Sequence, residues 1–488
     1  MAQLDPAGGP VRVGIATLIT PGLAGVVEAA SEVSEPLRRS GGAIEEVDAA
    51  LERLGFETQE MITISDAAEV EGASEGIRFT SNGEPAIELA VPAPAEDARQ
   101  VVLAVDEAGV VAWHFGRDQE DRIDASGRVT RTYLIRRRVP NPPAGPARRG
   151  LIGRFRAKVI RVLTVRVIGD IANYLAASWE RHYRPYSLRR FDPDNFTRWV
   201  PPGSVPDWNN LAMGRALLFV HGTFSRADRG FADFDPQAFA RIHEAYGRRV
   251  FAFDHPTISE NPISNVFWFL SNIPPDIELD LDIVCHSRGG LVSRVLAEHA
   301  QDFGVSNRIR VHRTVLVAVP NQGTKLADSQ YFNDLLDVFT TLSNLVPVPS
   351  PWHIFEAVAA VVRQMVVAGQ QGLDGLDCMV PERPFLGALN SYALGGRSYF
   401  GVASDFEPVG GSEVWNQLKD RVIDLIHGEE NDVMVSQSSA FGANGSTSFP
   451  IAPPELLVYA NAAHVDHFSY FKQTMTLDWL LRWLTPVP

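Results

Sequence analysis

The sequence predicts an α/β protein with a mostly parallel sheet, preceded by a smaller β-rich region. From residue 211 onward, short apolar strands alternate with helical segments, which is typical of a parallel sheet with crossover helices. Before residue 138 the pattern is instead one of short strands separated by turn signals. A Pro- and Gly-rich break at residues 141–146 separates the two regions and indicates a linker.

Length and composition set broad limits. A chain of 488 residues is expected to form two or three domains, and 45% hydrophobic with 21% charged residues is typical of a soluble globular protein. The net charge of −15 argues against a general nucleic-acid binder. Cys285 and Cys378 offer neither a disulfide framework nor metal-ligand spacing. No secretory signal and no long apolar stretch is visible, so a cytoplasmic protein without a transmembrane helix is expected.

Residues 1–138 are expected to form a β-rich domain with a helical start and no catalytic motif. Residues 11–20 are typical of a strand, and residues 22–54 of two helices. The clearest hairpin spans residues 101–115, where two apolar runs flank a turn of Asp, Glu, Ala and Gly. Nothing in this region indicates its role or a protein partner.

Residues 139–210 are predicted to form a basic linker that contains an amphipathic helix. Residues 125–169 contain no Asp or Glu but many Arg residues, and apolar residues recur near helical spacing over 148–180. Such a helix can make peripheral contact with an anionic membrane surface. The alternative is a helix packed on the C-terminal domain, since amphipathicity is the rule for packed helices.

Residues 211–488 are assigned to the α/β domain. Its strands are expected at 216–220, 250–253, 281–284, 311–319 and 399–403. Residues 326–395 interrupt this rhythm with mostly helical sequence, which predicts a cap or lid insertion over the strand ends. Because active sites of open parallel sheets form at the carboxyl ends of the strands, residues that directly follow strands are the candidates.

Ser287 is the strongest candidate. In Ile283-Val284-Cys285-His286-Ser287-Arg288-Gly289-Gly290 an apolar strand enters a tight turn with serine at its tip, and small residues then begin a helix. This is the context of a nucleophile elbow. Gly289 is suitably small, whereas Cys285 stands where glycine is usual. A serine nucleophile also needs a base within hydrogen-bond reach and an acid that orients the base.

The base and the acid are sought downstream, in the chain order serine, acid, histidine. His467 is the preferred base because it directly precedes the closing helical segment, and His464 is its competitor. Asp432 is the preferred acid because it lies on a loop that leads into a short apolar run. Asp405, directly after the strand at 399–403, is the alternative.

The tetrahedral intermediate needs hydrogen-bond donors aimed at its oxyanion. One candidate is the backbone N–H of Arg288, and the second is that of Thr223, in the loop after the strand at 216–220. Phe224 is placed to shape an acyl pocket. His221 and His255 are expected to be structural rather than catalytic.

Four segments together resemble the successive motifs of bacterial lipases and related α/β-hydrolases, in the same order. They are 219–223 (Phe-Val-His-Gly-Thr), 285–290 (Cys-His-Ser-Arg-Gly-Gly), 319–324 (Val-Pro-Asn-Gln-Gly-Thr) and 431–436 (Asn-Asp-Val-Met-Val-Ser). The resemblance covers about residues 211–488 and implies an α/β-hydrolase fold. It also implies these roles: Ser287 as nucleophile, Asp432 as acid, His467 as base, and the amides of Thr223 and Arg288 as oxyanion hole.

These residues predict a carboxylic ester hydrolase that acts on a small ester or lipid through an acyl-enzyme and needs no metal or organic cofactor. One alternative is a phospholipase or lipase that docks on membranes through the basic helix at 148–180. Another is an inactive hydrolase-fold protein that binds a partner, because fold alone does not establish activity. Peptidase or amidase activity also stays open, since a triad does not distinguish esters from amides.

Overall fold

The structure is a computed structural model. It describes residues 1–29, 44–70, 76–80, 85–106, 110–116, 122–123, 129–137, 154–167, 175–200, 206–303, 308–328, 331–345, 352–391, 398–407, 429–443 and 449–484.

The strands are β1 (Ala2–Gln3), β2 (Pro10–Val13), β3 (Ala16–Ile19), β4 (Leu23–Ala29), β5 (Phe56–Glu69), β6 (Arg78–Phe79), β7 (Pro85–Pro92), β8 (Ala98–Asp106), β9 (Val111–Phe115), β10 (Arg122–Ile123), β11 (Val129–Arg136), β12 (Arg154–Arg166), β13 (Ser187–Arg190), β14 (Ala216–Val220), β15 (Val250–Asp254), β16 (Leu279–His286), β17 (Ile309–Val317), β18 (Ser398–Ser404) and β19 (Leu456–Tyr459). The α-helices are α1 (Ile44–Arg53), α2 (Leu175–Tyr183), α3 (Trp208–Ala212), α4 (Ala227–Gly230), α5 (Pro236–Ala245), α6 (Pro262–Ser271), α7 (Gly289–His299), α8 (Phe332–Leu345), α9 (Trp352–Ala368), α10 (Asp374–Asp377), α11 (Pro384–Asn390), α12 (Gln437–Phe441) and α13 (Thr474–Leu484).

A seven-stranded sheet forms the centre of the C-terminal part, in the order β13-β15-β14-β16-β17-β18-β19. Strand β13 pairs antiparallel at the edge, and all other neighbours pair parallel. Along β14 the side chains alternate between two apolar cores. Leu217 and Phe219 pack with residues of α5 and α13, whereas Leu218 and Val220 pack with residues of α6 and α7.

Burial on both faces explains why these strands are continuous apolar runs. A mostly parallel sheet with helices on both faces, one antiparallel edge strand and a serine turn after a central strand is the α/β-hydrolase fold. The predicted fold class is therefore confirmed. The five predicted strands correspond to β14, β15, β16, β17 and β18.

Two antiparallel sheets form the N-terminal part, as its strand pattern predicts. Their orders are β1-β4-β5-β12-β8-β9 and β10-β11-β7-β3-β2, with β6 paired to β7. Buried side chains of both sheets share one core, for example Ile64 and Ile160 of the first and Leu18 and Leu89 of the second. The predicted hairpin is present as β8 and β9, paired from Val101–Phe115 to Val105–Val111.

The predicted amphipathic helix over 148–180 is wrong for residues 154–166, although residues 175–180 do belong to a helix, α2. The segment Arg154–Arg166 is strand β12, which pairs antiparallel with β5 on one side and β8 on the other. Val159, Ile160, Val162 and Leu163 are all buried, because each face of this central strand is covered. An apolar spacing of four residues fits one face of a strand as well as a helix, and the β-branched residues favour the strand.

The basic side chains in the middle of this strand do not form a free polar face. Lys158 and Arg161 are both buried. The Lys158 Nζ donates to the carbonyl oxygen of Arg136 at 2.6 Å, and Arg161 pairs with Asp48. Residues 138–153 and 168–174, which include the predicted linker break, lie outside the described residues. Among the described helices, none is both long and apolar enough to cross a membrane.

Two further boundaries differ from the prediction. Residues 23–29 of the predicted helical start form strand β4, and the part of this start at 30–43 lies outside the described residues. The seven-stranded sheet also begins before residue 211, because β13 pairs with β15. Glu180 of α2, which is buried, accepts hydrogen bonds from the amides of Thr257, Ile258 and Ser259 at 2.6, 2.9 and 2.8 Å. Helix α2 and β13 are therefore integral to this part rather than a linker.

The insertion at 326–395 consists largely of helices α8 to α11, between β17 and β18. Helix α8 joins the C-terminal part to the two N-terminal sheets, which together form the N-terminal sandwich. Its buried side chains Asp337 and Thr341 accept hydrogen bonds from the amides of Trp113 and Val111 in β9, at 2.7 and 3.0 Å. Since β9 is the last strand of its sheet, these bonds satisfy backbone groups that no further strand pairs with.

Candidate active site

Ser287 lies at the tip of a tight turn between β16 and α7. Its φ of 52° is in the left-handed region, which a nucleophile elbow requires and an ordinary residue rarely adopts. The turn needs small neighbours. A Cβ at Gly289 would stand 2.4 Å from the carbonyl oxygen of His221, and one at Gly290 would stand 2.2 Å from a methyl group of Val319.

Cys285 fits this elbow although glycine is usual at its position. It is fully buried within β16, and its thiol lies 3.3 Å from the carbonyl oxygen of Val315. Burial raises the pKa of the thiol to about 12, so it stays protonated and donates to that carbonyl.

The structure brings Ser287, His467 and Asp432 together. Nε2 of His467 is 3.0 Å from Oγ of Ser287, and Nδ1 of His467 is 2.9 Å from Oδ2 of Asp432. The backbone supports the same arrangement, because the amide of His467 donates to the carbonyl oxygen of Asp432 at 3.0 Å. All three residues are buried. The carboxylate acceptor requires a proton on Nδ1, which leaves Nε2 free to accept the serine proton.

The loop after Asp432 holds its carboxylate. Oδ1 accepts hydrogen bonds from the amides of Met434 and Val435 at 3.0 and 2.8 Å. Burial alone would raise the pKa of Asp432, but the charge and hydrogen bond of His467 and these two amides outweigh it. The pKa therefore lies below its usual value, and the acid is ionised at neutral pH.

The two competing residues lie elsewhere. His464 is exposed, and its ring contacts the carbonyl oxygen of Glu407 rather than Ser287. Asp405 follows β18, where its amide donates to the carbonyl oxygen of Tyr459 at 2.9 Å. The carboxylate partner of His467 is Asp432.

Both predicted oxyanion donors stand beside the serine. Gly222 brings the Thr223 loop close to Ser287, since a Cβ at Gly222 would lie 2.8 Å from the serine Cβ. Within the described residues, neither the amide of Thr223 nor that of Arg288 has a hydrogen-bond acceptor. Nδ1 of His221 lies 3.0 Å from the carbonyl oxygen of Gly222. Because C=O and N–H of a trans peptide point in opposite directions, this bond fixes the direction of the Thr223 N–H.

Three other histidines near the site are buried. Nε2 of His286 lies 2.9 Å from the carbonyl oxygen of His467, and burial lowers the pKa of His286 to about 3. The rings of His221 and His255 stack with centroids 4.3 Å apart. Burial also lowers the pKa of His221 to about 4 and that of His255 well below its usual value. All three are therefore neutral hydrogen-bonding groups at neutral pH.

Aromatic side chains connect the insertion to the two loops that carry Thr223 and His467. Phe339 of α8 meets the ring of Phe224 edge-on at 4.6 Å between centroids, and that of Phe468 at 5.8 Å. Phe224 follows Thr223, and Phe468 follows His467. Helix α8 therefore packs against both loops, and the three rings form an apolar wall beside them. Within the parts of the chain that the structure describes, no cluster of three His, Cys, Asp or Glu side chains could hold a metal ion.

Comparison with known protein families gives a match over the C-terminal part of the chain. The family described as "Domain of unknown function (DUF7379)" matches residues 183–485, more than half of the chain. The chain belongs to this family. The matched residues begin at Tyr183, the last residue of α2, so the family domain includes β13 together with the whole parallel sheet. Among curated proteins, none matches the chain in sequence.

Solved structures with a similar fold include several hydrolases. The lipase BlEst2 of Bacillus licheniformis is 19% identical and aligns over 56% of this chain and 92% of its own, with a TM-score of 0.31. Lipase 1 of Pelosinus fermentans is 12% identical and aligns over 56% of this chain and 99% of its own, with a TM-score of 0.40. The likeness concerns the fold, which the strand order described above already assigns.

Sequence reasoning missed several groups at this site. It did not identify the bond from the Tyr470 hydroxyl to Asp432, at 2.9 Å, or the contact of His286 with the carbonyl of His467. It also did not identify Phe339. Tyrosine, histidine and phenylalanine are all common in buried cores. Each of these contacts also joins residues that are far apart in the chain. No local signal in the sequence indicates them.

Proposed function

We propose that this DUF7379 protein is a serine hydrolase that cleaves carboxylic esters through an acyl-enzyme. The observation that carries the proposal is the continuous hydrogen-bond chain from Ser287 through His467 to Asp432, at 3.0 and 2.9 Å, on a strained elbow at the carboxyl end of β16. Serine, imidazole and carboxylate in this order are the arrangement that activates a hydroxyl for acyl transfer.

In the proposed reaction, Oγ of Ser287 attacks the ester carbonyl carbon while Nε2 of His467 takes the hydroxyl proton. The carbonyl electrons move to oxygen, and the amides of Thr223 and Arg288 donate to this oxyanion. The intermediate collapses as the C–O bond to the alcohol breaks, and Nε2–H of His467 protonates the leaving oxygen. Asp432 stabilises the imidazolium throughout.

Hydrolysis of the acyl-enzyme repeats these steps with water. Nε2 of His467 takes a proton from the water as it attacks the serine ester, and the same proton returns to Oγ of Ser287 when the acid leaves. The apolar wall of Phe224, Phe339 and Phe468 favours a substrate with an apolar acyl chain over one with a charged acyl chain. Docking on a membrane through a basic helix loses its basis, because strand β12 replaces the central part of that helix.

The first test removes the nucleophile. Ser287→Ala is expected to lower kcat/KM for a short p-nitrophenyl ester by about three or more orders of magnitude, as for triad knockouts generally. It is also expected to abolish covalent labelling by a fluorophosphonate probe. Ser391→Ala, which changes an exposed serine at the end of α11, should leave both readouts unchanged.

A comparison of substrates in the same experiment distinguishes ester hydrolysis from amide hydrolysis. Esters of increasing acyl length and a matched anilide would be compared, and the proposal expects ester turnover to exceed anilide turnover. Undiminished turnover or labelling in Ser287→Ala would overturn the assignment of the nucleophile. A wild-type protein that neither turns over any ester nor reacts with the probe would favour an inactive hydrolase-fold binding protein.

A further inference from the structure

The carboxylate of Asp432 has a hydrogen-bond donor that the three-residue arrangement does not require. Besides Nδ1 of His467 at 2.9 Å, Oδ2 accepts the hydroxyl of Tyr470, also at 2.9 Å. Two donors therefore share the one oxygen that faces the base. Asp432 and Tyr470 are each 1% exposed, so the protein itself supplies the donors that water would otherwise provide.

Tyr470 is held firmly in this position. It begins the short 3-10 turn Tyr470–Lys472, three residues after His467, so the base and this donor come from one short segment. Its ring is buried in the core beside the ring of Tyr459, with centroids 6.2 Å apart. Among the described residues, Asp432 is the one hydrogen-bond partner of its hydroxyl.

The chemistry of the tyrosine suits a permanent donor. Burial, and then the negative charge of Asp432, raise the pKa of Tyr470 well above its usual value. The hydroxyl therefore keeps its proton throughout the neutral range, and a protonated phenol beside a carboxylate can only donate to it.

We propose that Tyr470 is a positioning residue, whose hydroxyl fixes the direction in which Oδ2 of Asp432 faces Nδ1 of His467 and takes up part of the negative charge on that oxygen. The two amides on Oδ1 hold one end of the carboxylate, and the Tyr470 hydroxyl holds the other. The inference rests on the proposed function, because it assigns to Tyr470 an influence on the base that activates Ser287.

Removing the hydroxyl has an effect of defined sign. The proton of the Tyr470 hydroxyl offsets part of the negative charge on Oδ2 of Asp432, the oxygen that also accepts the hydrogen bond from His467. In Tyr470→Phe this charge is no longer offset, so the imidazolium form of His467 is favoured relative to the neutral form. The carboxylate also loses one of its four donors and turns more freely, which lowers kcat.

Other titratable groups around His467 and Asp432 are the same in the parent and in the variant. The His286 ring lies 4.9 Å from the His467 ring, Asp466 precedes the base in sequence, and Tyr459 lies beside Tyr470. A difference between the pH profiles of the two proteins therefore reports the hydroxyl of Tyr470 rather than these neighbours.

The experiment measures ester hydrolysis by Tyr470→Phe from pH 5 to pH 9. The acid limb of kcat/KM is expected to move upward by about half a pH unit or more. We also expect kcat to fall about tenfold, with KM changed little. Tyr459→Phe is the matched control, since it removes a buried hydroxyl of the same core that bonds to Thr476 at 2.7 Å rather than to Asp432.

The control separates positioning from stability. Both variants lose one buried hydrogen bond and should unfold at lower temperature, but Tyr459→Phe should keep the parental pH profile. A Tyr470→Phe profile that coincides with that of the parent, or an equal shift in Tyr459→Phe, would overturn the inference.

A readout that needs no substrate distinguishes failure of this inference from failure of the proposed function. NMR titration of the His467 imidazole, assigned by its absence in His467→Gln, reports its pKa in the parent and in Tyr470→Phe. An upward shift in a protein that cleaves no ester would retain the role of Tyr470 toward Asp432 and reject the proposed reaction. An unchanged pKa in a protein with Ser287-dependent activity would reject the role of Tyr470 alone.

Discussion

At the scale of single residues, the site needs glycine at Gly222 as well as the side chains of the catalytic residues. The elbow and the Thr223 loop approach so closely that Gly222 has no room for a Cβ. Such an atom would stand 2.8 Å from Cβ of Ser287 and 3.0 Å from the carbonyl oxygen of His286. Both neighbours belong to the strained turn, so neither moves away without disturbing the nucleophile.

Gly222→Ala is therefore expected to reduce kcat/KM about 100-fold, because pushing the Thr223 loop outward displaces one oxyanion donor by a fraction of an ångström or more. Ester kinetics would measure this loss. Gly387→Ala is the matched control, since a Cβ at Gly387 meets nothing within 4 Å. If Gly222→Ala retained parental kcat/KM, Thr223 would not be an oxyanion donor.

At the scale of elements, helix α8 connects the two halves of the molecule through its opposite faces. Its apolar face presents Phe339 to the loops of the active site. Its polar face contacts the N-terminal sandwich, where Arg136 of β11 pairs with Asp334 at 3.0 Å and Asp337 accepts the Trp113 amide. Asp334 and Asp337 are buried, so this contact depends on complete hydrogen bonding.

Asp337→Ala is expected to lower the free energy of unfolding by about 2–4 kcal/mol. It removes the acceptor of the buried Trp113 amide and one of the carboxylates near Arg136. Denaturant unfolding followed by tryptophan fluorescence would measure the change. Asp377→Ala, at the end of α10, breaks an exposed ion pair with Arg383 and should change stability by less than about 1 kcal/mol. Equal losses of unfolding free energy in both variants would show that the buried α8 contact stabilises the fold no more than an exposed ion pair does.

At the scale of the whole molecule, buried neutral histidines make the fold sensitive to acid. The pKa of His221 is lowered to about 4 and that of His286 to about 3, each chiefly by burial, from a usual value of 6.5. Below pH 6.5 the unfolded chain binds protons at these positions while the folded chain does not. Their contribution to stability is therefore complete above pH 6.5 and declines as the pH falls toward 4.

His255 allows this to be tested. Its ring is 2% exposed, and its Nε2 has no hydrogen-bond partner in the part of the chain that the structure describes. His255→Phe keeps an aromatic ring against His221 but cannot bind a proton. We expect the loss of unfolding free energy between pH 7 and pH 5 to be about 2 kcal/mol smaller in this variant.

Urea unfolding at pH 7 and pH 5 measures this loss of unfolding free energy in the parent and in His255→Phe. Because the loss is calculated within each protein, any effect of the substitution that does not depend on pH cancels. His182→Gln removes an exposed histidine and should leave the acid dependence as it is in the parent. A His255→Phe variant as acid-sensitive as the parent would contradict the expectation.

Much of this architecture could be predicted because its signals are local. Strands buried on both faces are continuous apolar runs, and the elbow needs a serine between a strand and small residues. The strands of the parallel sheet and the Ser287 turn follow from these patterns. Local signals did not predict β12, because its apolar spacing fits a central strand as well as a helix. Only its pairing with β5 and β8 decides that this segment is a strand in the middle of a sheet.

The sequence by itself determined the fold class, the serine turn and a short set of candidate partners. Only the tertiary structure decided that His467 and Asp432, rather than His464 and Asp405, stand next to each other and to Ser287. It also decided that Tyr470 donates to the carboxylate of Asp432 and that α8 packs against the two loops of the site. The reason is physical: strand and turn propensities depend on neighbours in the chain, whereas a hydrogen bond of 3 Å between residues 180 positions apart depends on how the whole sheet is packed.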